Sequence, residues 1–123
     1  MTRPTVLVVE DDAGLRLALE AGLAAEGFEV AVAGDCDAAC ARASTVRPDL
    51  VLLDWGLADG DGGTKACHRL RNVHPDGRIV MLTGRTERGI EEAARAAGAY
   101  AFFTKGIGLG VLAGELRRIA SKA

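Results

Sequence analysis

Acidic residues directly follow two short aliphatic runs of the chain. Val6-Leu7-Val8-Val9 leads into Glu10-Asp11-Asp12, and Val51-Leu52-Leu53 leads into Asp54. Such runs are too short for helices and too apolar for exposed loops, so they predict strands buried on both faces. In open α/β sheets, ligands bind outside the carboxyl ends of the strands. We therefore expect these carboxylates to lie where the chemistry of the protein takes place.

Two further predicted strands end close to polar side chains. Thr83 ends the strand that begins at Arg78, and Lys105 follows the strand that begins at Ala99. Converging carboxylates raise one another's pKa unless a cation offsets them, and oxygen ligands favour a hard ion such as Mg2+. Lys105 would supply a point charge for a phosphate and Thr83 a hydroxyl donor. Asp54 is then the candidate nucleophile, since carboxylates can form acyl phosphates.

Composition limits the classes of protein to which the chain can belong. Its 123 residues suffice for a sizeable core, and we expect residues 1–123 to form one domain. The net charge of −2 provides no basic field for nucleic acid or an anionic membrane. No apolar run is long enough to span a bilayer and no signal-peptide pattern is present, so we expect a cytoplasmic protein. Cys36, Cys40 and Cys67 form no paired Cys-x-x-Cys motif and are expected to be small buried residues.

Predicted strands alternate with predicted helices along the chain, five of each. Asp35 or Cys36 is expected to begin the second helix, and Thr86 to cap a fourth whose buried side includes Ala93 and Ala94. Strict alternation predicts an α/β fold in which helices cover both faces of a doubly wound parallel sheet. If the winding reverses between the first and third strands, the acids that follow those two strands meet at the reversal.

Taken together, these motifs resemble the receiver domain of two-component response regulators. The resemblance covers essentially the whole chain and rests on segments in family-like order and spacing: residues 8–12, 52–54 with 57–62, 81–84 and 98–105. It implies a flavodoxin-like sheet of five parallel strands in the order 2-1-3-4-5, with five helices.

The resemblance also implies a role for the acids. Asp54 would accept a phosphoryl group from the phosphohistidine of a sensor histidine kinase or phosphotransfer protein. Asp11, Asp54 and the backbone carbonyl of Gly56 would bind Mg2+, and Glu10 would act partly through a metal-bound water.

For the remaining positions, the resemblance implies phosphate binding and switching. Lys105 and Thr83 would contact the phosphate oxygens. Movement of Thr83 and Phe102 on phosphorylation would alter the face built from helix four, strand five and helix five. This face would thus have two states, switched by the charge of the phosphoryl group. Such a module is not an enzyme beyond self-phosphorylation and autodephosphorylation. As a monomer or a phosphorylation-linked dimer, it would signal to a downstream target protein or to a missing effector domain.

Several positions depart from the family's pattern. Gly106 follows Lys105 where the family usually has proline, so we predict a trans bond and a looser loop. Ala58 stands where proline is common. Gly63 either replaces an apolar residue at the start of helix three or marks an extra loop residue. Arg85 is placed to reach a phosphate or to block it.

Two other classes of function use similar residues. An Asp-nucleophile phosphohydrolase usually has a general acid two residues after the nucleophile, where this chain has Gly56. A flavin or nucleotide binder needs a phosphate-cradling loop after strand one, where Glu10-Asp11-Asp12 would repel a phosphate in the absence of a cation. His68 and His74 are expected on a solvated helix face and in a turn, not as phosphohistidines.

Overall fold

Strands and helices alternate in the computed structural model, which describes residues 3–56, 62–84 and 89–122. Within these residues the elements are β1 (Thr5–Val9), α1 (Ala13–Ala25), β2 (Glu29–Ala33), α2 (Cys36–Val46), β3 (Leu50–Asp54), α3 (Gly62–Val73), β4 (Arg78–Thr83), α4 (Ile90–Ala96), β5 (Ala101–Thr104) and α5 (Leu109–Ala120). No helix in this part of the chain is both long and apolar enough to cross a membrane.

The strands form a parallel sheet in the order β2-β1-β3-β4-β5. Val9 of β1 pairs with Leu53 of β3, so these two strands end side by side. Asp54 pairs with Leu82 of β4, which places the end of β4 next to them. The predicted doubly wound α/β fold and its strand order are confirmed, and the winding reverses between β1 and β3.

Each face of the sheet has its own hydrophobic layer, because side chains alternate along a strand. Leu7 and Val9 face α2, α3 and α4, whereas Val6 and Val8 face α1 and α5. The helices of the first layer contribute mostly small side chains: Cys36, Ala39, Cys40, Ala43, Ala66, Cys67 and Ala94. The helices of the second layer contribute mostly large ones: Leu19, Leu23, Leu112, Leu116 and Ile119. The three cysteines are buried, as predicted.

Short polar side chains begin the first two helices. The Asp12 carboxylate accepts from Gly14 N at 3.2 Å, and the Asp35 carboxylate accepts from Ala38 N at 2.7 Å. These bonds satisfy backbone donors that the first turn of a helix leaves without a partner. The cap at Asp12 fixes where α1 begins relative to the acids that follow β1.

The third and fourth helices differ from prediction at their N-terminal ends. α3 begins at Gly62, two residues before the predicted Thr64. α4 begins at Ile90, after Gly89 in the left-handed region, and the predicted cap Thr86 lies outside the described residues. Ala93 was expected to be buried but is exposed, because the buried stripe of α4 is formed by other positions on the helix.

Candidate functional site

Three carboxylates lie together at the carboxyl ends of β1 and β3. Glu10, Asp11 and Asp54 each offer an oxygen atom within 4.8 Å of the other two. Glu10 and Asp54 are buried, with 2% and 7% of their surfaces exposed, whereas Asp11 is exposed. The structure thus brings together the acids that were expected to meet where the winding reverses.

The Lys105 ammonium group bridges two of these carboxylates from the end of β5. Its Nζ lies 3.1 Å from Glu10 Oε1 and 3.4 Å from Asp54 Oδ1. Partial burial acts to lower the pKa of Lys105, but the hydrogen bond to Glu10 and the charge of Asp54 outweigh it and raise this pKa. The amine is therefore a charged group within the site.

Both the backbone and the side chain of Glu10 form hydrogen bonds with neighbouring residues. Its N–H donates to Ala33 O at 3.0 Å, and its carbonyl accepts from Arg16 Nη1 at 2.9 Å. Oε2 accepts from Asp12 N at 3.1 Å, while Oε1 contacts Lys105. Burial raises the pKa of Glu10 and the charge of Asp54 adds to the rise, against the opposing effect of the Asp12 amide and Lys105. Glu10 is thus a fixed carboxylate whose ionised form needs cationic neighbours.

Gly56 contacts Asp54, and Thr83 follows Leu82, the residue of β4 that pairs with Asp54. Gly56 N donates to Asp54 Oδ1 at 3.2 Å, so the first residues of the loop turn back towards the carboxylate. Thr83 is fully buried at the end of β4, and its carbonyl accepts from Lys105 N at 2.8 Å. The peptide bond between Lys105 and Gly106 is trans, as predicted.

The other residues singled out from the sequence take no part in the contacts given above, or lie outside the described residues. Phe102 is half-buried and packs against the layer formed by α2, α3 and α4. His68 is exposed on α3, as expected. His74 lies in the expected turn but is buried, with Nε2 2.6 Å from Pro48 O. Ala58 and Arg85 lie outside the described residues.

The donor set of the cluster fits a hard divalent cation. All of its side-chain donors are carboxylate oxygens, which Mg2+ and Ca2+ prefer to softer ligands. Three carboxylates and one ammonium group leave an excess of two negative charges when all four are ionised. A divalent ion bound by Glu10, Asp11 and Asp54 would offset that excess.

Two local arrangements had no signal in the sequence. Arg16 reaches from α1 to the backbone of Glu10, six residues away. The Trp55 ring lies over Gly63, where a Cβ would be 2.5 Å from Trp55 Cε3 and 3.0 Å from Trp55 Cα. This contact explains the glycine at the start of α3, because the indole occupies the space that a larger side chain would fill.

Comparisons with known proteins define the class to which this fold and site belong. Residues 6–117 match the family model of the response regulator receiver domain. The KDP operon transcriptional regulatory protein KdpE of Escherichia coli is 34% identical over 114 residues, which are 91% of this chain and 49% of that protein. The phosphate regulon transcriptional regulatory protein PhoB of Rhizobium meliloti is 39% identical over 104 residues, 83% of this chain and 45% of that protein. The chain therefore spans about half the length of these relatives.

Solved structures give the same result for the fold. A CheY-like response regulator receiver domain protein from Methanospirillum hungatei superposes with a TM-score of 0.88 at 24% identity, covering 97% of this chain and 94% of that one. A response regulator from Thermotoga maritima superposes with a TM-score of 0.85 at 26% identity, covering 98% and 99%. The chain belongs to the response regulator receiver domain family. Receiver domains are signalling modules of two-component systems rather than conventional enzymes.

Proposed function

We propose that the chain is a phosphorylation-controlled receiver in which Asp54 is the phosphoacceptor. The observation that carries the proposal is the position of this carboxylate, buried at the end of β3, grouped with Glu10 and Asp11, and in contact with the Lys105 ammonium. An aspartate that only caps a loop needs neither burial nor two neighbouring carboxylates nor a lysine partner. The phosphoryl donor is the phosphohistidine of a sensor histidine kinase or of a phosphotransfer protein.

The transfer exchanges one bond to phosphorus for another. A carboxylate oxygen of Asp54 bonds to phosphorus as the phosphorus–nitrogen bond of the donor breaks, and the released imidazole takes up a proton from solvent. Lys105, already beside Asp54, interacts with the negative phosphoryl oxygens, and the Thr83 hydroxyl donates to them. Neither residue changes its covalent bonds.

Mg2+ is the cofactor in this proposal, bound by Glu10, Asp11, Asp54 and the backbone carbonyl of Gly56. The chemistry it would supply is neutralisation of the carboxylates and of the phosphoryl oxygens. Without that neutralisation, the acids would repel an incoming phosphoryl group. The acids of this chain would therefore provide both the phosphoacceptor, Asp54, and the binding site for the Mg2+ ion that neutralises the phosphoryl group.

The signal would pass from Thr83 to Phe102 and so to the face formed by α4, β5 and α5. Phe102 belongs to β5, the strand of that face, and is half-buried. Residues 1–123 act as one cytoplasmic receiver domain, with a downstream target protein or an effector domain of a longer chain as recipient. Phosphorylation changes the surface, and the protein acts as a monomer or as a phosphorylation-linked dimer.

Intact-mass spectrometry after incubation with Mg2+ and acetyl phosphate tests the phosphoacceptor. Wild type is expected to gain a phosphoryl adduct that EDTA prevents, and Asp54→Asn to gain none. Asp76→Asn, in the exposed turn before β4, is the matched control and should be modified like wild type. An adduct of equal yield on Asp54→Asn would refute the assignment.

The switch is tested separately with Thr83→Ala. This variant should still accept the phosphoryl group at Asp54, but the NMR resonances of Phe102 and of α4 and α5 should no longer shift on phosphorylation. Shifts equal to those of wild type would exclude Thr83 from signal transmission.

A further inference from the structure

Arg16 contacts the acidic turn from the first turn of α1. Its Nη1 donates to the backbone carbonyl of Glu10 at 2.9 Å, and its side chain is half-buried. The guanidinium also lies against Gly34, where a Cβ would be 3.1 Å from Nη1. Arg16 therefore lies between the turn that follows β1 and the loop that follows β2.

The bonded carbonyl belongs to the peptide unit that leads into Asp11. A peptide unit is planar, so a donor that fixes the oxygen of Glu10 also fixes the direction of the N–H and Cα of Asp11. Asp11 is exposed, unlike Glu10 and Asp54, so the packing of its own side chain contributes little to its position. The orientation of this acid thus depends on its backbone, and Arg16 is a side chain that binds this backbone.

The contact is with the main chain and not with a carboxylate. Lys105 is the cation that contacts Glu10 Oε1, whereas Arg16 donates to the backbone oxygen of the same residue. The cap at Asp12 fixes the start of α1, and Arg16 N donates to Asp12 O at 2.8 Å. Because α1 begins directly after the acidic turn, its first turn places the Arg16 guanidinium beside that turn.

From these contacts we infer that Arg16 is a positioning residue for the cation site, which sets the orientation of Asp11 through the Glu10 carbonyl. This inference rests on the proposed function of the acids as a Mg2+ site. Groups that orient metal ligands from outside the ligand set typically change metal affinity about 10- to 100-fold when removed. Loss of Arg16 would lower the affinity of the site for Mg2+ and would leave the phosphoryl-transfer step itself unchanged.

Isothermal titration of the protein with Mg2+ measures this role directly. Arg16→Met keeps most of the side-chain volume and is expected to weaken Mg2+ binding about 10-fold. Arg16→Lys retains a charged donor and should recover most of the loss. Arg42→Met, on the exposed face of α2, is the matched control and should bind Mg2+ as wild type does. The Mg2+ concentration for half-maximal phosphorylation should rise in parallel, while the rate at saturating Mg2+ stays near that of wild type.

The outcomes separate this inference from the proposed function. If wild type binds Mg2+ and is phosphorylated, and folded Arg16→Met binds Mg2+ equally well, only the role of Arg16 is refuted. If wild type neither binds Mg2+ nor gains a phosphoryl adduct, both are refuted. Should Arg16→Met fail to fold, Gly34→Ala replaces it, since its methyl group would press on the guanidinium. Unchanged Mg2+ affinity in folded Gly34→Ala would then overturn the inference.

Discussion

The contact between Trp55 and Gly63 predicts that Gly63→Ala destabilises the protein. The new Cβ would lie 2.5 Å from Trp55 Cε3 and 2.8 Å from Cδ2, well inside the 3.5–4.0 Å of an ordinary carbon–carbon contact. Rotation of the ring alone does not relieve the overlap, because Trp55 Cα is only 3.0 Å away. Overpacking of this kind costs about 1–3 kcal/mol, against a gain of at most about 1 kcal/mol from helix propensity. We expect a net loss of about 1–2 kcal/mol.

Urea denaturation followed by far-UV circular dichroism measures this loss, and a double-mutant cycle attributes it. In a Trp55→Leu background the ring is absent and only the close contact with the Cα of residue 55 remains, so Gly63→Ala should destabilise clearly less than it does in wild type. Gly114→Ala is the matched control in α5, where a Cβ meets no atom within 4 Å, and it should stabilise by roughly 0.5–1 kcal/mol. If Gly63→Ala stabilised wild type as much as Gly114→Ala does, the reasoning from the indole contact would be wrong.

Three further predictions concern single side chains. Burial raises the pKa of the Cys67 thiol from 9.0 to about 11, so its contribution to stability is complete below pH 9 and is lost as the pH rises through about 11. Wild type should lose about 1 kcal/mol between pH 8 and pH 10 relative to Cys67→Ala, as measured by urea denaturation. The pKa of Lys105 is raised above its ordinary 10.5, so its stabilising ion pairs are complete below that pH and are lost above the folded value. The urea midpoint of wild type should accordingly fall more steeply above pH 10.5 than that of Lys105→Met. His74→Leu leaves the buried Pro48 carbonyl without its donor and should cost about 1–3 kcal/mol, whereas His68→Leu at an exposed position should be close to neutral.

The strands and the acids at their carboxyl ends could be predicted from the sequence because both follow from local patterns, whereas the strand order came from the family resemblance. Buried parallel strands read as continuous apolar runs, and Asp54 stands at the end of one such run. Asp35 was identified as a start signal for α2 because capping depends on neighbouring residues alone. Once the strand order is known, the position of Glu10 beside Asp54 follows from the pairing of β1 with β3.

The remaining features depend on contacts between residues that no local pattern relates. Arg16 reads as an ordinary solvated helix residue, and only the direction of α1 relative to the acidic turn brings its guanidinium to Glu10 O. Gly63 reads as a poor helix residue, and only the position of the start of α3 beside the end of β3 brings the Trp55 ring over it. His74 lies in the predicted turn, but it is buried and contacts Pro48, which precedes β3 and is 26 residues away in the sequence.

The helices on the two faces of the sheet contribute side chains of different size, so the two hydrophobic layers tolerate different kinds of substitution. Ala39, Ala43 and Ala66 have almost no volume to lose, so most substitutions on the side of α2, α3 and α4 add atoms where a helix lies close to the strands. Leu23 and Leu116, on the side of α1 and α5, have much to lose, and most substitutions there leave empty space. Homologous sequences should therefore vary little in residue size on the first side, and should show compensating exchanges of large residues on the second.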